Sequence, residues 1–309
     1  ANCVRAHLGH TSGQVGEVAE LSCNLDDMTP EAIGFAQEIL LEAGVLDVFM
    51  ENGIGFDGVM GVSAGAVHGC SLVSGQMGRS IRYYKKYCRD KRFMSWQNFF
   101  RTGDVVNEKF CYHDLPERLD PYDYEAFNAS DTAFYVTCTN VETGKPEYLR
   151  ITDMKKQIDL MRASASLPYA SRIVEAGGKK LLDGGCSDSI PVRAFQRLGY
   201  GRNVVVLTRP EGYVKKPERR GLARIFYRRY PAFVKALESR PETYNRTVRE
   251  IGEMERAGEV FVIRPSEALK IGRMSHDREE IVEAYKLGRR DAKKALGALK
   301  LWLGEKSNG

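Results

Sequence analysis

The chain has 309 residues, of which 43% are hydrophobic and 28% carry a charge, and its formal net charge is +5 at pH 7. This length allows one large domain, or a core domain with an extension, and the even composition argues against a disordered or fibrous chain. The small positive net charge gives only a weak attraction to anionic surfaces.

The cysteines and the apolar runs bear on the cellular compartment. Seven cysteines are scattered along the chain without a C-x-x-C spacing, a pattern typical of reduced thiols in the cytoplasm. Nowhere do about 18 apolar residues follow one another, and the opening stretch ANCVRAHLGHTSGQ lacks the apolar core of a signal peptide. We therefore expect a cytoplasmic protein that does not span a membrane.

The first predicted elements lie near the start of the chain. Residues 17–23 form a predicted strand, Asp26 and Asp27 follow it, and residues 29–31 (Thr-Pro-Glu) have the sequence of a helix start. Two adjacent carboxylates could indicate a metal site, but before a helix they more often cap it and interact with its dipole. The sequence therefore predicts neither a metal nor a cofactor.

A sharp turn between a strand and a helix holds the first candidate for catalysis. Residues 56–62 are a short apolar run that predicts a buried strand, and residues 64–76 predict a helix. The residues that join them, Gly61-Val62-Ser63-Ala64-Gly65, match the G-x-S-x-G pattern of a nucleophilic serine on a strained turn. Ser63 is the candidate nucleophile, and the N–H of Ala64 would face a developing oxyanion. The alternative is a purely structural turn.

Further strands and helices alternate along the chain. Strands are predicted at residues 133–140, 179–185 (ending in a glycine turn), 203–210 and 259–265. Residues 192–199 predict a helix that stops at a glycine, and apolar residues at helical spacing predict a long surface helix over residues 281–303. Such alternation is typical of an α/β fold with a mainly parallel sheet covered on both faces by helices.

A serine hydroxyl needs a base to take its proton, and the strongest candidate is Asp183. Asp183 ends a predicted strand within the stretch LLDGG, at the edge of the sheet where α/β proteins place their active sites. Gly184 and Gly185 would keep the following turn tight and the carboxylate open. A carboxylate can accept the serine proton directly over a distance of about 3 Å. The alternative interpretation is a simple Asp-Gly-Gly turn.

The histidines offer a different base. The order Ser63, Asp183, His276 formally fits an α/β-hydrolase triad, but His276 lies in the polar stretch GRMSHDREE, which looks like a solvated helix start. His68 falls one and a half turns into the helix after Ser63 and should point away from the turn, as a core or rim residue. A Ser-Asp pair is therefore the preferred hypothesis.

Together the two motifs resemble the patatin-like phospholipase family, in which a G-x-S-x-G turn and a later D-G-G supply a Ser-Asp dyad. The stretch ASASLPYAS at residues 163–171 resembles the segment that lines the site in that family. The resemblance is close over residues 43–210, and the part after residue 210 resembles a bacterial cytoplasmic branch with a C-terminal extension. It implies a three-layer α/β/α fold and hydrolysis of lipid acyl esters, with Ser63 as the nucleophile and Asp183 as the base.

One part of the family pattern is missing. Patatin-like proteins open with a strand and a glycine-rich loop, G-G-G-x-[RK]-G, whose backbone N–H groups form the oxyanion hole. Here the corresponding residues 34–39 read GFAQEI and keep one glycine. They are typical of a helix interior, where N–H groups donate to carbonyls four residues back. Ala64 is then the remaining predicted donor.

The segment at residues 20–49 resembles instead a LarC-type nickel-insertion protein. Both families can end a helix with A-G-[VA]-L-D-V-F, so residues 43–49 would be the seam of a fusion or of a mis-joined gene. We divide the chain into an atypical N-terminal segment (1–42), a patatin-like catalytic core (43–212) and a C-terminal extension (213–309), which contributes a strand near 259–265 and a terminal helix.

The expected partner is a lipid or acyl-ester substrate. The stretch VKKPERRGLARIFYRRYP interleaves basic and aromatic residues, so the part between Lys215 and Arg229 could contact an anionic membrane surface. It could also contact RNA or be a solvated basic face, and nothing else in the chain supports a nucleic-acid partner. Two functions follow: a serine acyl-ester hydrolase, and a non-catalytic lipid-binding descendant that has lost its oxyanion loop.

Overall fold

The structure is a computed structural model, and it describes residues 2–7, 35–217, 221–269 and 278–304. The predicted strand at residues 17–23, together with Asp26, Asp27, Gly34 and His276, lies outside the described residues. The described strands are β1 Asn2–His7, β2 Gly55–Val62, β3 Ala133–Asn140, β4 Pro146–Ile151, β5 Val174–Ala176, β6 Lys179–Asp183, β7 Asn203–Val206 and β8 Val260–Ile263.

Ten α-helices accompany these strands in the described ranges. They are α1 Phe35–Glu51, α2 Ala64–Val73, α3 Arg79–Tyr87, α4 Trp96–Thr102, α5 Tyr124–Ala129, α6 Ile158–Ser164, α7 Val192–Arg197, α8 Leu222–Phe226, α9 Pro231–Arg256 and α10 Arg278–Leu303. A π-helix covers Phe110–Leu119, and a single 3-10 turn covers Gly184–Cys186. No helix in these ranges has both the length and the apolar content needed to cross a bilayer.

The strands form one sheet in the order β5-β6-β3-β2-β1-β7-β8, and β4 also pairs with β3. β2 pairs with β3 in parallel, as β7 does with β8, whereas the other pairings are antiparallel. The predicted α/β class is confirmed. The expectation of a mainly parallel sheet was wrong, since five of the seven pairings between the described strands are antiparallel. Short connections explain two of them, because they join β3 to β4 and β5 to β6 and allow only antiparallel pairing.

Helices cover both faces of this sheet. Successive side chains of a strand point to opposite faces, and β7 shows the consequence. Val204 and Val206 are buried in a cluster shared with α1, α2 and α10, whereas Val205 is buried on the other face among residues of α9, including Tyr244 and Ile251. The result is the three-layer α/β/α arrangement implied by the resemblance.

The terminal helix α10 packs closely against α1, which leads into β2. A Cβ at Gly288 would lie 1.9 Å from the carbonyl oxygen of Leu41, and a Cβ at Gly44 would lie 2.3 Å from that of Tyr285. Real Cβ atoms do not approach backbone so closely, so both positions require glycine. The Tyr285 hydroxyl also donates a hydrogen bond to Asp47 at 2.5 Å. The two helices therefore form a tightly fixed pair.

The predicted elements around the candidate residues are confirmed. β2, β3, β6, β7 and β8 overlap the strands predicted from the sequence, and α10 overlaps the predicted terminal helix. The predicted helix after Ser63 is shorter than expected, since α2 ends at Val73. A sharp turn at Ser63 therefore joins the end of β2 to the start of α2.

Candidate active site

Ser63 lies on the turn between β2 and α2 in a strained backbone conformation. Its φ is 58° and its ψ is −121°, and residues with a side chain rarely adopt a positive φ. α2 begins at the next residue, Ala64, which is fully buried. This is the geometry expected of a G-x-S-x-G turn, in which strain aims the serine side chain away from the regular helix.

Asp183 reaches the same place from the end of β6. β6 runs antiparallel to β3, so Asp183 is paired with Cys138 in the register. We expected this aspartate at the end of a strand within a mainly parallel sheet, and it does end a strand, but that strand pairs antiparallel with both of its neighbours. Thr139 Oγ1 donates a hydrogen bond to the Asp183 carbonyl oxygen at 2.8 Å. The end of β6 and the end of β2 thus meet across β3.

The two glycines after Asp183 have separate steric roles. A Cβ at Gly184 would lie 2.3 Å from the carbonyl oxygen of Thr137, so any side chain there would push the turn off β3. A Cβ at Gly185 would lie 3.0 Å from Asp183 Oδ1. The first glycine keeps the turn close to the sheet, and the second leaves room for the carboxylate.

The two candidate side chains contact each other directly. The Ser63 hydroxyl donates a hydrogen bond to Asp183 Oδ2, and the Gly185 N–H donates one to Asp183 Oδ1 at 2.7 Å. Ser63 is 0% exposed and Asp183 is 3% exposed, so the pair lies away from water, where polar interactions are strong. Such an arrangement can transfer the serine proton to the carboxylate without a histidine.

The environment of Asp183 alters its proton affinity. Burial raises the pKa of the Asp183 carboxyl above its ordinary value, because the charged form loses its hydration. The hydrogen bond from Ser63 and the positive charge of Arg240 lower this pKa, but burial has the larger effect. A carboxylate with a raised pKa accepts a proton more readily, which suits a general base.

The segment at residues 163–171 holds the backbone on both sides of the pair. The Ser63 N–H donates a hydrogen bond to Ser164 Oγ at 3.1 Å, and the Asp183 N–H donates one to the Ser166 carbonyl oxygen at 2.9 Å. Ser164 is fully buried. This segment therefore fixes where both candidate residues sit, in agreement with the site-lining position that the resemblance implies.

The helix α2 starts directly after Ser63. Ala64 and Gly65 are the first two residues of this helix, and N–H groups at those positions have no partner within a helix. Residues 35–39, where the family's glycine-rich loop would fall, belong to α1 as we predicted, but they form its first described turn and not its interior. From Ile39 onward, the N–H groups of α1 donate to the carbonyls of its own preceding turn.

Of the two histidines considered as alternative bases, His276 lies outside the described residues, and His68 has its hydrogen bond elsewhere. His68 is buried, and its Nδ1 forms a hydrogen bond with Ser80 Oγ on α3 at 2.5 Å, so it is a core residue as expected. Burial lowers the pKa of His68 to about 3, which keeps the ring neutral. Within the described ranges there is no group of three or more His, Cys, Asp or Glu side chains arranged to hold a metal ion.

Two cavities open beside α2, one helical turn beyond Ser63. Their empty volumes are about 440 and 500 Å³, including the part open to solvent. Val67 lines both, and Ala165, the neighbour of Ser164, lines the second. Apart from Val67, the residues common to the two cavities are Tyr83, Cys111, Tyr112 and Leu115. These apolar and aromatic walls suit an apolar ligand.

The expected basic surface differs from the prediction at its first residue. Lys215 is only 1% exposed, and its ammonium group lies 5.6 Å from the ring centre of Tyr244, so it does not belong to a surface. Arg228 and Arg229 are exposed. Beside them, α8 carries three exposed apolar side chains, Leu222, Ile225 and Phe226. The surface is therefore apolar as well as basic.

This exposed part of α8 adjoins the segment that holds the candidate pair. The rings of Phe226 and Tyr169 lie 5.5 Å apart, and the Tyr227 hydroxyl accepts a hydrogen bond from the Tyr169 N–H at 2.9 Å. Tyr169 belongs to the segment at residues 163–171 and has a φ of 64°. α8 is thus attached to the segment that holds Ser63 and Asp183.

One residue near the pair escaped the sequence analysis. Arg240, in the middle of α9, is buried, and its Nε donates a hydrogen bond to the Gly185 carbonyl oxygen at 2.8 Å. Arg240 has no motif around it, and its helix follows the catalytic core that we outlined from the sequence. The available signal was weak: an arginine close to apolar positions in an amphipathic helix.

Comparison with known families identifies three segments. The profile of the family described as "Patatin-like phospholipase" matches residues 34–195. The profile described as "Nickel insertion protein" matches residues 1–55, and that of a domain of unknown function (DUF6363) matches residues 230–304. The first two matches overlap at residues 34–55, which include the seam predicted at residues 43–49. Both resemblances identified from the sequence are confirmed.

Two curated proteins give a similar picture. The chain is 29% identical over 189 residues to the uncharacterized protein YjjU of Escherichia coli (strain K12), an alignment that covers 60% of this chain and 53% of YjjU. It is also 49% identical over 49 residues to a putative nickel insertion protein of Pelobacter propionicus, which covers 16% of this chain and 12% of that protein. The chain thus spans about half of YjjU and a much smaller share of the second protein.

Proposed function

Because the chain belongs to the patatin-like phospholipase family, we propose that it is a serine hydrolase that cleaves lipid acyl esters with a Ser63–Asp183 dyad. The observation that carries this proposal is the hydrogen bond from the Ser63 hydroxyl, on its strained turn, to the buried Asp183 carboxylate. Ser63 is the nucleophile and Asp183 the general base. The reaction needs no metal or cofactor in this scheme.

The chemistry proceeds in two steps. Asp183 accepts the proton of Ser63 as the serine oxygen attacks the ester carbonyl carbon, and a tetrahedral oxyanion forms. Its collapse breaks the bond to the alcohol, which leaves with the proton from Asp183, and the acyl group stays on Ser63. In the second step Asp183 takes a proton from water, the hydroxide attacks the acyl carbon, and the fatty acid leaves as Ser63 regains its proton.

The oxyanion faces the start of α2 in this mechanism. The Ala64 N–H is the proposed donor, and the positive end of the helix dipole adds to it. The glycine-rich loop that supplies further donors in the family has no counterpart at residues 34–39. The proposed enzyme therefore has an intact acid–base pair and a weakened oxyanion hole, and we expect slow turnover.

The substrate side is supported by the cavities beside α2. Their apolar walls begin at Val67, four residues after Ser63, and reach Ala165, next to the serine that holds the Ser63 backbone. An acyl chain placed there would extend away from the reacting carbonyl into an apolar environment. We therefore assign the acyl chain of the substrate to these cavities.

We further propose that α8 contacts the membrane surface that holds the lipid. Ile225 and Phe226 are 71% and 62% exposed, and Arg228 and Arg229 lie beside them. Apolar residues flanked by cations suit the headgroup region of an anionic bilayer. This assignment moves the contact from the full stretch between Lys215 and Arg229 to its second half.

Flotation with vesicles tests this contact. The parent protein should bind vesicles that contain phosphatidylglycerol more strongly than vesicles of phosphatidylcholine alone. The double variant Ile225→Ser/Phe226→Ser should lose that binding, whereas Leu301→Ser, an exposed apolar residue on α10, should keep it. Equal binding by the parent and the double variant would remove α8 from the proposal.

We also propose a division of the chain into domains and a cellular location for the protein. A catalytic core at residues 43–212 followed by an extension at 213–309 agrees with family matches that end at 195 and resume at 230. The five cysteines whose side chains are described, Cys70, Cys88, Cys111, Cys138 and Cys186, have free thiols. Free thiols support a reducing compartment, and we place the protein in the cytoplasm.

A second candidate function is a lipid-binding protein that no longer hydrolyses esters. The complete burial of Ser63 and the replacement of the oxyanion loop favour it. A fluorophosphonate probe separates the two functions, because it reacts only with an activated serine. Labelling of Ser63, located by mass spectrometry and absent from Ser63→Ala, supports the hydrolase. Vesicle binding without labelling, even at high probe concentration, supports the binding protein instead.

A further inference from the structure

We infer that Arg240 is a positioning residue for the dyad: from α9, it fixes the turn that carries Asp183 and Gly185. This inference deepens the proposed function and rests on it for its catalytic meaning. Arg240 lies outside the patatin-like match at residues 34–195 and inside the match to a domain of unknown function at residues 230–304. It gives that C-terminal region a direct role at the candidate site.

The position of Arg240 is unusual for a charged side chain. Arg240 is 5% exposed, although arginine is rarely buried unless its charge and its N–H donors are used. Its Nε donates to the carbonyl oxygen of Gly185 at 2.8 Å, across 55 positions of the chain. Ser189 Oγ donates to the same oxygen at 2.9 Å. Two donors therefore hold this carbonyl in one orientation.

That orientation is transmitted to the base through the peptide chain. The N–H of Gly185 points at Asp183 Oδ1 and donates to it at 2.7 Å. With Oδ1 occupied, the other oxygen, Oδ2, faces the Ser63 hydroxyl. The Gly185 carbonyl oxygen thus accepts a hydrogen bond from Arg240 on α9, while the Gly185 N–H donates one to the Asp183 carboxylate. Loss of the Arg240 donor would loosen the rotamer that presents Oδ2 to Ser63.

The charge of Arg240 acts on the same carboxylate. Among the described residues, three side chains act on the Asp183 carboxyl from different elements: the Ser63 hydroxyl from the turn after β2, the Cys138 thiol from β3 and the Arg240 guanidinium from α9. Burial raises the pKa of Cys138 well above its usual value, so the thiol is neutral. Arg240 is positive and opposes the effect of burial on Asp183. The base is therefore available in its ionised form over a wider pH range.

The test combines kinetics with a measurement that does not depend on catalysis. Arg240→Gln removes the charge, Arg240→Lys keeps it but loses the planar donor group, and Arg249→Gln on the exposed face of the same helix is the control. For each protein we would record kcat and KM against pH on a chromogenic ester. We would also follow the Asp183 carboxyl carbon by ¹³C NMR against pH, with Asp183→Asn to assign the signal and thermal unfolding to establish folding.

For Arg240→Gln we expect the Asp183 titration midpoint and the acidic limb of the kcat profile to move to higher pH. We also expect kcat to fall by about ten- to a hundredfold with little change in KM. Arg240→Lys should keep its midpoint near that of the parent, and Arg249→Gln should match the parent throughout. A folded Arg240→Gln protein with the parent's midpoint would overturn the inference. If the parent hydrolyses no ester but the NMR midpoint still moves, the proposed function fails and the positioning role stands.

Discussion

The two sides of Ser63 differ in how many of the expected hydrogen-bonding groups are present. On one side, Asp183 receives hydrogen bonds from Ser63 and Gly185, and elements far apart in the chain support that turn. On the other side, the Ala64 N–H at the start of α2 is the proposed oxyanion donor, and the stretch that would add donors in the family belongs to helix α1. That stretch lies in residues 34–55, where the patatin-like and nickel-insertion matches overlap.

In the proposed mechanism, the two halves of the site depend on different parts of the chain. The dyad depends on β2, β3 and β6, which lie in the patatin-like core, and on α9, which lies in the C-terminal extension. In the family, the oxyanion loop lies just before that core. In this chain, that position falls where the patatin-like and nickel-insertion matches overlap. A chain can therefore keep the base and the nucleophile in contact while the means of stabilising the oxyanion is reduced.

The largest expected effect comes from removing a member of the Ser63–Asp183 pair. Asp183→Asn removes the base and should lower ester hydrolysis by about 10²–10⁴-fold, to the level of the Ser63→Ala blank. His276→Ala should retain the parent rate. Initial rates on one short-chain chromogenic ester check all three variants. If His276→Ala were the inactive protein, the chain would be a triad hydrolase and the Ser-Asp assignment would be wrong.

A smaller effect is expected where the backbone of Ser63 is held. Ser164→Ala would leave the buried Ser63 N–H without its acceptor, and kcat should fall by about tenfold. Ser166→Ala is the matched control, because the Ser166 hydroxyl donates to the carbonyl oxygen of Arg162 on α6 and not to the pair. Unequal rates for the two variants, with similar melting temperatures, support the role of Ser164. Equal rates would mean that the turn holds its shape without this hydrogen bond.

The next prediction concerns α1, the helix found where the family has its loop, and its packing against α10. Gly288→Ala would force a Cβ into the backbone of α1, and we expect a loss of about 1–3 kcal/mol in the free energy of unfolding. Gly297→Ala, on the same helix with nothing near its Cβ, should instead stabilise the protein by up to about 1 kcal/mol. Urea unfolding measures both. If both variants were stabilised, α10 would not press on α1 as described.

The last effect depends on pH and concerns His68, on the helix that follows Ser63. Its pKa falls from 6.5 to about 3 on folding, because burial disfavours the charged ring. The unfolded chain therefore takes up this proton first as the pH falls. The contribution is fully present above pH 6.5 and is lost below it, by about 1.4 kcal/mol per pH unit. His68→Gln should flatten this part of the curve of unfolding free energy against pH. An unchanged slope would show that His68 is not the group responsible.

The sequence could predict the parts of the site that depend on local patterns. The turn at Ser63 and the strand ending at Asp183 each have short signatures, since a strained elbow and a close-packed turn need glycine within a few residues. The contact between them followed from the family resemblance. It could not follow from local patterns, because β6 reaches the site through antiparallel pairing.

The parts that could not be predicted depend on contacts between distant residues. Arg240 meets Gly185 across 55 positions, and only the path of α9 over the sheet brings them together. Gly44 and Gly288 look like ordinary helix glycines until two backbones meet there. Lys215 reads as part of a basic surface but is buried near Tyr244. In each case, the contact joins segments far apart in the chain, and neither segment has a local sequence pattern that indicates its partner.

The central claim is that the dyad is complete and the oxyanion side is not. The most direct test compares the parent with a variant that carries a glycine-rich loop before Ala43, on one chromogenic ester, with Ser63→Ala as the blank. Each aligned oxyanion donor contributes about 10²–10³-fold to the rate, so the loop variant should be at least about a hundredfold faster than the parent. Equal rates in the two folded proteins would show that another group already supplies the oxyanion donors, and would contradict the account.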